Sequence, residues 1–334
     1  MNQKLVKASL SGLGMLLLIL DARTALSGAV QGVELCIRTL IPSLFPFFIF
    51  SVLLTDALLG LNWRWLHPIG KILKIPSGSE PLLLVGILGG YPAGAQSVTQ
   101  AWEAGTISTN CARRMLGFCN NAGPAFLFGL VSFQFSDAST AWVLWGIHIL
   151  SAFITGMLLP GKHEKQIRLE PRTGISLNEA LHRSLRIMGA VCGWVILFRV
   201  VLAFADHWFL WACSKELRVT VHLMTELASG CIAIPEIEDQ NIRMMLCSCA
   251  LSLGGLCVLL QTVSVTGKLG TGAYLSGKLT QALVSATLCC GYLSVFKNIS
   301  MAYYGAVGGI LFLIGTVILK KLKNKSGNPQ KAVV

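Results

Sequence analysis

The residues in this chain best suited to chemistry are amides, hydroxyls and a few isolated charges, set among glycine and proline. Residues 88–97 read Leu-Gly-Gly-Tyr-Pro-Ala-Gly-Ala-Gln-Ser and end the apolar run 81–88. Gly89, Gly90, Pro92 and Gly94 place a helix break there. A break frees backbone N–H and C=O groups that lipid cannot satisfy, so it is tolerated only against protein or a water-filled cavity. Its freed N–H groups can face a polar or anionic ligand at the positive end of a half-helix. Alternatively, Gly90 and Gly94, at small-xxx-small spacing, simply let helices pack closely. Proline beside the glycines favours the break, and with Tyr91, Gln96 and Ser97 the stretch reads as a substrate-binding segment.

A second break follows at Asn120-Asn121-Ala122-Gly123-Pro124. The amides of Asn120 and Asn121 suit recognition of a ring nitrogen, a carbonyl or a carboxylate; Gly123 and Pro124 fit equally a helix C-cap and turn. Gln96 and Gln261 can each donate and accept hydrogen bonds, as a pair facing a central ligand or as interhelical glue worth about 0.6 kcal/mol. Thr262 stands beside Gln261.

Two charges are candidates for ion coupling. Arg199 lies in the apolar run 195–202, and an intramembrane Arg marks a site by default. It could also snorkel to the interface, with Asp206 and His207 two turns on. Glu226 could bind a proton or Na⁺ or pair with Arg199; at a helix start it would be a first-turn acid. Arg113 and Arg114 could attract an anion but read rather as solvated or headgroup-facing. No catalytic residue, metal site or cofactor is expected. The six histidines are dispersed, and no nucleophile elbow, zinc spacing or phosphate loop is present. The eleven cysteines lack zinc-ligand spacing and read as small hydrophobes.

The elements that must position these residues are apolar. The 334 residues are 54% hydrophobic and 13% charged, against about 25% charged in soluble domains. The net charge of +12 sits in tails and loops, as positive-inside bias places it, and no nucleic-acid motif accompanies it. The chain therefore reads as an all-α, polytopic helical membrane protein. Residues 1–23 form a first span, 24–160 a first repeat broken at 89–94 and 120–124, and 161–176 a basic linker. A second repeat, 177–319, breaks near 254–262, and 320–334 form a basic tail. Within these, 24–41 is an amphipathic helix carrying Leu26, Val30, Val33, Cys36, Ile37 and Leu40, and spans lie at 140–159 and 301–319. Residues 177–188 read as an amphipathic helix ahead of a separate span at 189–204.

The repeats rest on one register. At an offset of 165, Leu88, Gly89, Gly90, Gln96, Val98, Gly105 and Thr106 meet identical residues, seven of the nineteen positions 88–106. Ser97 meets Thr262, and Arg113 meets Lys278. An approximate offset of 148 lays residues 38–54 on 186–202. Paired broken segments are the pattern of secondary transporters with midplane sites and inverted repeats. Both tails and the linker are basic and so belong on one side of the membrane. The repeats then cross with different parity, so one segment is re-entrant or one basic segment breaks the rule.

Three strings carry a family resemblance: residues 40–54, with Ile41-Pro42-Ser43-Leu44-Phe45-Pro46-Phe47-Phe48 inside them, Gly89-Gly90-Tyr91-Pro92-Ala93-Gly94-Ala95, and Gly117-Phe118-Cys119-Asn120-Asn121-Ala122-Gly123-Pro124. With these the chain resembles the sporulation integral membrane protein YlbJ family, of the nucleoside-recognition or gate-domain proteins. Glu226-Leu227-Ala228-Ser229-Gly230 and Leu253-Gly254-Gly255 look similar to its second-half motifs. The resemblance implies a multi-pass bacterial inner-membrane protein related to concentrative nucleoside transporters, with inverted repeats and re-entrant segments. In spore formers it implies movement of dipicolinate. Residues 256–260 depart from it by being more apolar than the first-half break, so the first repeat should carry most ligand contacts. The expected function is a secondary transporter or permease for a small polar or anionic metabolite, dipicolinate or a nucleoside-like compound. Its partners would be the bilayer, the substrate and a coupling ion, H⁺ or Na⁺, with oligomerisation open and no nucleic acid. The alternative is a non-transporting scaffold or assembly factor in spore formation.

Overall fold

The computed structural model describes residues 3–58, 64–161 and 174–296, all of them in helices and their connections. Linker residues 162–173, Trp63, the expected span at 301–319 and the basic tail 320–334 lie outside the described residues. In chain order the helices are α1 (Gln3–Leu20), α2 (Ala22–Leu35), α3 (Ile41–Leu58), α4 (His67–Ile72), α5 (Glu80–Leu88), α6 (Ala93–Glu103), α7 (Thr109–Leu116) and α8 (Pro124–Phe126). They continue as α9 (Ser139–Leu158), α10 (Leu177–Trp208), α11 (Lys215–Thr225), α12 (Leu227–Ala233), α13 (Gln240–Leu253), α14 (Gly255–Thr266) and α15 (Gly272–Phe296). Among the described residues, five helical stretches are long and apolar enough to cross a membrane: Ala22–Ala57, Ser139–Leu158, Leu177–Trp208, Gln240–Leu269 and Gly272–Phe296. The chain is a multi-pass membrane protein.

α2 and α3 form one rod through a wide turn at Cys36–Leu40. Pro42 accounts for the turn, since proline lacks an N–H and its ring clashes with the carbonyl four residues back. A π-turn absorbs that clash without ending the helix. The stripe Leu26, Val30, Val33 and Ile37 faces outward, while Ala25, Gly28, Gly32, Cys36 and Leu40 are buried. The expected amphipathic helix is therefore small-inside and apolar-outside. Lipid accepts the large apolar side chains, and small residues let two backbones approach.

The partner is α10, one continuous 32-residue helix rather than the amphipathic piece and separate span expected. It runs antiparallel to α2–α3. A Cβ on Gly28 would lie 2.9 Å from Val200 Cα, and one on Gly32 2.8 Å from Ile196 Cα. Further along, the Cys36 thiol donates to the Cys192 carbonyl at 3.8 Å, and the Ile175 N–H donates to Asp56 at 3.0 Å.

α9 and α15 are likewise continuous, whereas two further elements are broken. α5 ends at Gly89 and α6 begins after Gly90, whose φ is +70°. α13 and α14 meet at Gly254 and Gly255, with φ of +81° and +72°. These left-handed angles are cheap only for glycine. Gly105 and Gly270, 165 positions apart like Gly90 and Gly255, are also left-handed, at +71° and +77°. α7 sits against α15 where Gly117 meets Gly277, the Cα of Gly117 lying where a Gly277 side chain would start.

Candidate functional site

Behind the breaks lies a cluster of fully buried polar side chains, built from the short extended run 120–123 between α7 and α8. Its side chains satisfy groups of the neighbouring elements, while the Gly123 carbonyl accepts from the Phe126 and Leu127 N–H groups of the helix that follows. Asn120 accepts from the Ala95 N–H at 3.2 Å, satisfying one of the orphan donors in the first turn of α6. The same side chain donates to Thr262 Oγ1 at 2.9 Å, so one amide ties α6 to α14 across the two breaks. Asn121 donates to the Phe118 carbonyl at 2.8 Å and accepts from Gln281 Nε2 at 3.0 Å and Lys278 Nζ at 3.3 Å. The Ala122 N–H donates to His148 Nε2 at 3.0 Å. As an acceptor at Nε2, the His148 ring carries its proton on Nδ1, toward the Ser252 hydroxyl at 3.5 Å.

Lys278 is the group that sequence reasoning missed. It reads as part of a polar helix start, yet it is 1% exposed within α15. Its ammonium donates to Gln281 Oε1 at 2.7 Å, one turn along the same helix. The Tyr91 and Tyr274 rings lie 5.6 and 6.0 Å from it, within cation–π range. A signal for it exists in the chain: Lys278 and Gln281 are the polar pair at i, i+3 in an apolar stretch, opposite Arg113 in the 165-residue register.

Three cavities lie along the seam between α2–α3 and α10. The largest, about 730 Å³, is lined by Asp56, Gln96, Ser97, Arg183, Arg186 and Gln261 among others. A neck of about 60 Å³ follows, between Leu44, Phe48, Gly90, Tyr91, Val195 and Glu226. Beyond it a third cavity of about 580 Å³ is lined by Arg38, Arg199, Asp206, Arg218, His222 and Glu236. On α10 the order is Arg183 and Arg186, then Val191 and Val195, then Arg199 and Asp206. On α2–α3 it reads the same way in reverse, Asp56, then Phe48 and Leu44, then Arg38. The seam is wide, narrow, and wide again.

The expected site residues divide among these places. Gly89, Gly90, Tyr91, Gly123, Glu226 and Gln261 line the neck. Pro92, Gln96, Ser97 and again Gln261 line the largest cavity, so Gln96 and Gln261 do share a space. Asn120, Asn121 and Thr262 form the cluster behind it. Gly94 faces no cavity: its Cα packs onto the Cys119 carbonyl, and a Cβ would lie 3.0 Å from Asn120 Cα. Close packing is its role. Tyr91 reaches across the centre to donate to the Leu251 carbonyl at 2.5 Å, joining the two broken elements once more.

Glu226 is the side-chain cap of α12. Its carboxylate accepts from the Ala228 N–H at 2.9 Å, the Ser229 N–H at 2.6 Å and the Ser229 hydroxyl at 2.5 Å. Arg199 bonds Gln31 instead of Glu226. Replacing Glu226 by Ala should therefore lower stability by about 1–2 kcal/mol, the worth of a strong cap. The unfolding midpoint in detergent measures it. Arg114, expected at the headgroups, is buried: it donates to the carbonyls of Leu159 at 3.2 Å, Lys74 at 3.4 Å and Gly156. Arg113 donates to the Leu269 carbonyl at 2.7 Å. Both guanidinium groups satisfy carbonyls at helix ends, where cations belong. Among the described residues, no group of three or more His, Cys, Asp or Glu could hold a metal ion.

Over 158 residues the chain is 30% identical to the sporulation integral membrane protein YlbJ of Bacillus subtilis (strain 168). The match covers 45% of this chain and spans 39% of the relative's length. No family model matches the chain, and no solved structure does.

Proposed function

We propose that this chain is a secondary transporter for a small polar or anionic metabolite, acting in spore formation. The observation that carries the reading is the cavity order along one helix seam: two vestibules, each lined in part by charged side chains, separated by a narrow neck at the paired breaks. Loosening the neck toward one vestibule while closing it toward the other is alternating access around a fixed centre. The polar floor of the largest vestibule, with Gln96, Ser97 and Gln261 beside Arg183 and Arg186, suits a carboxylate-bearing ring compound such as dipicolinate. Nucleosides would use the amides alone.

The inverted-repeat reading has its support in the backbone. Gly90 and Gly255, and Gly105 and Gly270, share a positive φ of about the same size at the same offset, +70° and +72° for the first pair and +71° and +77° for the second. The two long helices that an offset of 148 relates, α2–α3 and α10, pack antiparallel. The similarity to a sporulation integral membrane protein supports the physiological setting. The scaffold alternative would turn the small residues outward to a partner, whereas Gly94, Gly117 and Gly277 are spent on contacts inside this chain.

A thermal screen of purified protein against dipicolinate, nucleosides and purines tests the reading. A ligand that binds the folded state raises its stability with occupancy, by about 2.7 kcal/mol at a hundred times its Kd. Dipicolinate should raise the midpoint in a saturable way; a flat response to every compound would count against a small-molecule site.

A further inference from the structure

We infer that Lys278 is a tethered substitute for a coupling cation, so that the transport centre works without a bound alkali-metal ion. This deepens the transporter reading and rests on it only for the word coupling; the occupancy of the position can be tested without any flux.

The surroundings of the ammonium are those of a monovalent cation site. Two neutral amide oxygens, Asn121 Oδ1 and Gln281 Oε1, accept from it at 3.3 and 2.7 Å. Two aromatic faces, Tyr91 and Tyr274, stand at 5.6 and 6.0 Å. Among the described residues no carboxylate pairs with Lys278. An isolated charge at such depth is costly unless it is paired or coordinated. Neutral oxygens and π faces together stabilise one positive charge and bring no negative charge of their own. The position also lies where an ion would need to sit to sense the neck. Asn121 belongs to the break after α7, Tyr91 belongs to the break between α5 and α6, and Tyr91 bonds across to the end of α13 at Leu251. A cation held here joins three elements at once. The lysine reaches the position from α15 through a buried stem, so the nitrogen is covalently held there and cannot exchange with ions in solution.

Glu226, the carboxylate otherwise suited to Na⁺, is committed to three hydrogen bonds as a cap. That leaves the Lys278 position as the cation centre among the described residues of the neck and cluster.

The test is the unfolding midpoint of purified protein at fixed ionic strength in sodium, potassium, lithium and N-methylglucamine chloride. The native protein should show one midpoint in all four. Lys278→Ala removes three methylenes and the ammonium, the size of n-propylammonium. Its midpoint should fall by several degrees, and n-propylammonium chloride should restore most of the loss. Lys278→Met, which keeps the volume, should fall without being restored, separating charge from packing. A midpoint of the native protein that rises specifically with Na⁺ or Li⁺ overturns the proposal, and so does a Lys278→Ala protein indifferent to n-propylammonium. The native arm needs no variant and decides alone if neither variant folds. None of these arms uses the transported ligand, so failure here is separate from failure of the transporter reading.

Discussion

Gly94→Ala is expected to stop the protein assembling. A Cβ at this position would be driven into the Cys119 carbonyl oxygen and would lie 2.9 Å from Gly86 Cα and 3.0 Å from Asn120 Cα. Overpacking a core typically costs about 1–3 kcal/mol when side chains can shift. Here the obstacles are all backbone, in α5 at Gly86 and in the segment that carries Asn120. Moving it would also break the Asn120 bonds to Ala95 and Thr262. The cost should exceed about 3 kcal/mol, a large fraction of a marginal folding free energy. Fluorescence-detected size exclusion of a tagged protein should show a sharp peak for the native chain and an aggregate or nothing for Gly94→Ala. Gly193→Ala serves as the control. No atom of a neighbouring element lies within 4 Å of its Cβ position, and alanine is the better helix former by about 1 kcal/mol, so that variant should match or exceed the native chain.

Asn121→Leu should have the next largest effect, on the order of 3–5 kcal/mol from several buried partners lost together. The exchange keeps volume and removes one acceptor and one donor. Lys278 loses one of its two oxygen partners, and hydrogen bonds to charged groups are worth about 1.5–3 kcal/mol each. Gln281 loses its closest acceptor, and the Phe118 carbonyl is left without the amide that donates to it at 2.8 Å. Asn121→Asp keeps an acceptor for Lys278 and Gln281 and should recover part of the loss. If denaturation midpoints show both variants equal to the native protein, the cluster does not hold the breaks together.

Much of this arrangement is legible in the order of the residues, and for a physical reason. Glycine and proline punctuate a membrane helix only where something else satisfies the backbone, so the sequence points to breaks at 89–94 and 120–124 and near 254–262, the last of which the structure puts at Gly254 and Gly255. Asn120 and Asn121 follow from the same logic, because a broken backbone needs polar side chains nearby. What periodicity cannot show is which side of an apolar helix faces lipid. The outward Leu26, Val30 and Ile37 and the inward Gly28 and Gly32 invert the soluble-protein expectation. Charges are the other blind spot. Glu226 and Arg199 stand out in sequence because they interrupt apolar runs, yet one is a cap and the other bonds Gln31 at the third cavity. Lys278 and Arg114 resemble loop charges, and both are buried, because their partners come from elements far away in the chain.

The most direct test of the transport centre is flux of labelled dipicolinate into proteoliposomes holding equal amounts of native, Gln96→Ala or Asn121→Ala protein, with protein-free vesicles as the baseline. Saturable uptake by the native protein, competed by unlabelled dipicolinate and reduced at least about ten-fold in Asn121→Ala by loss of a charge-assisted contact, is the predicted result. Uptake by the native protein no faster than in protein-free vesicles, or full flux in both variants, would contradict it.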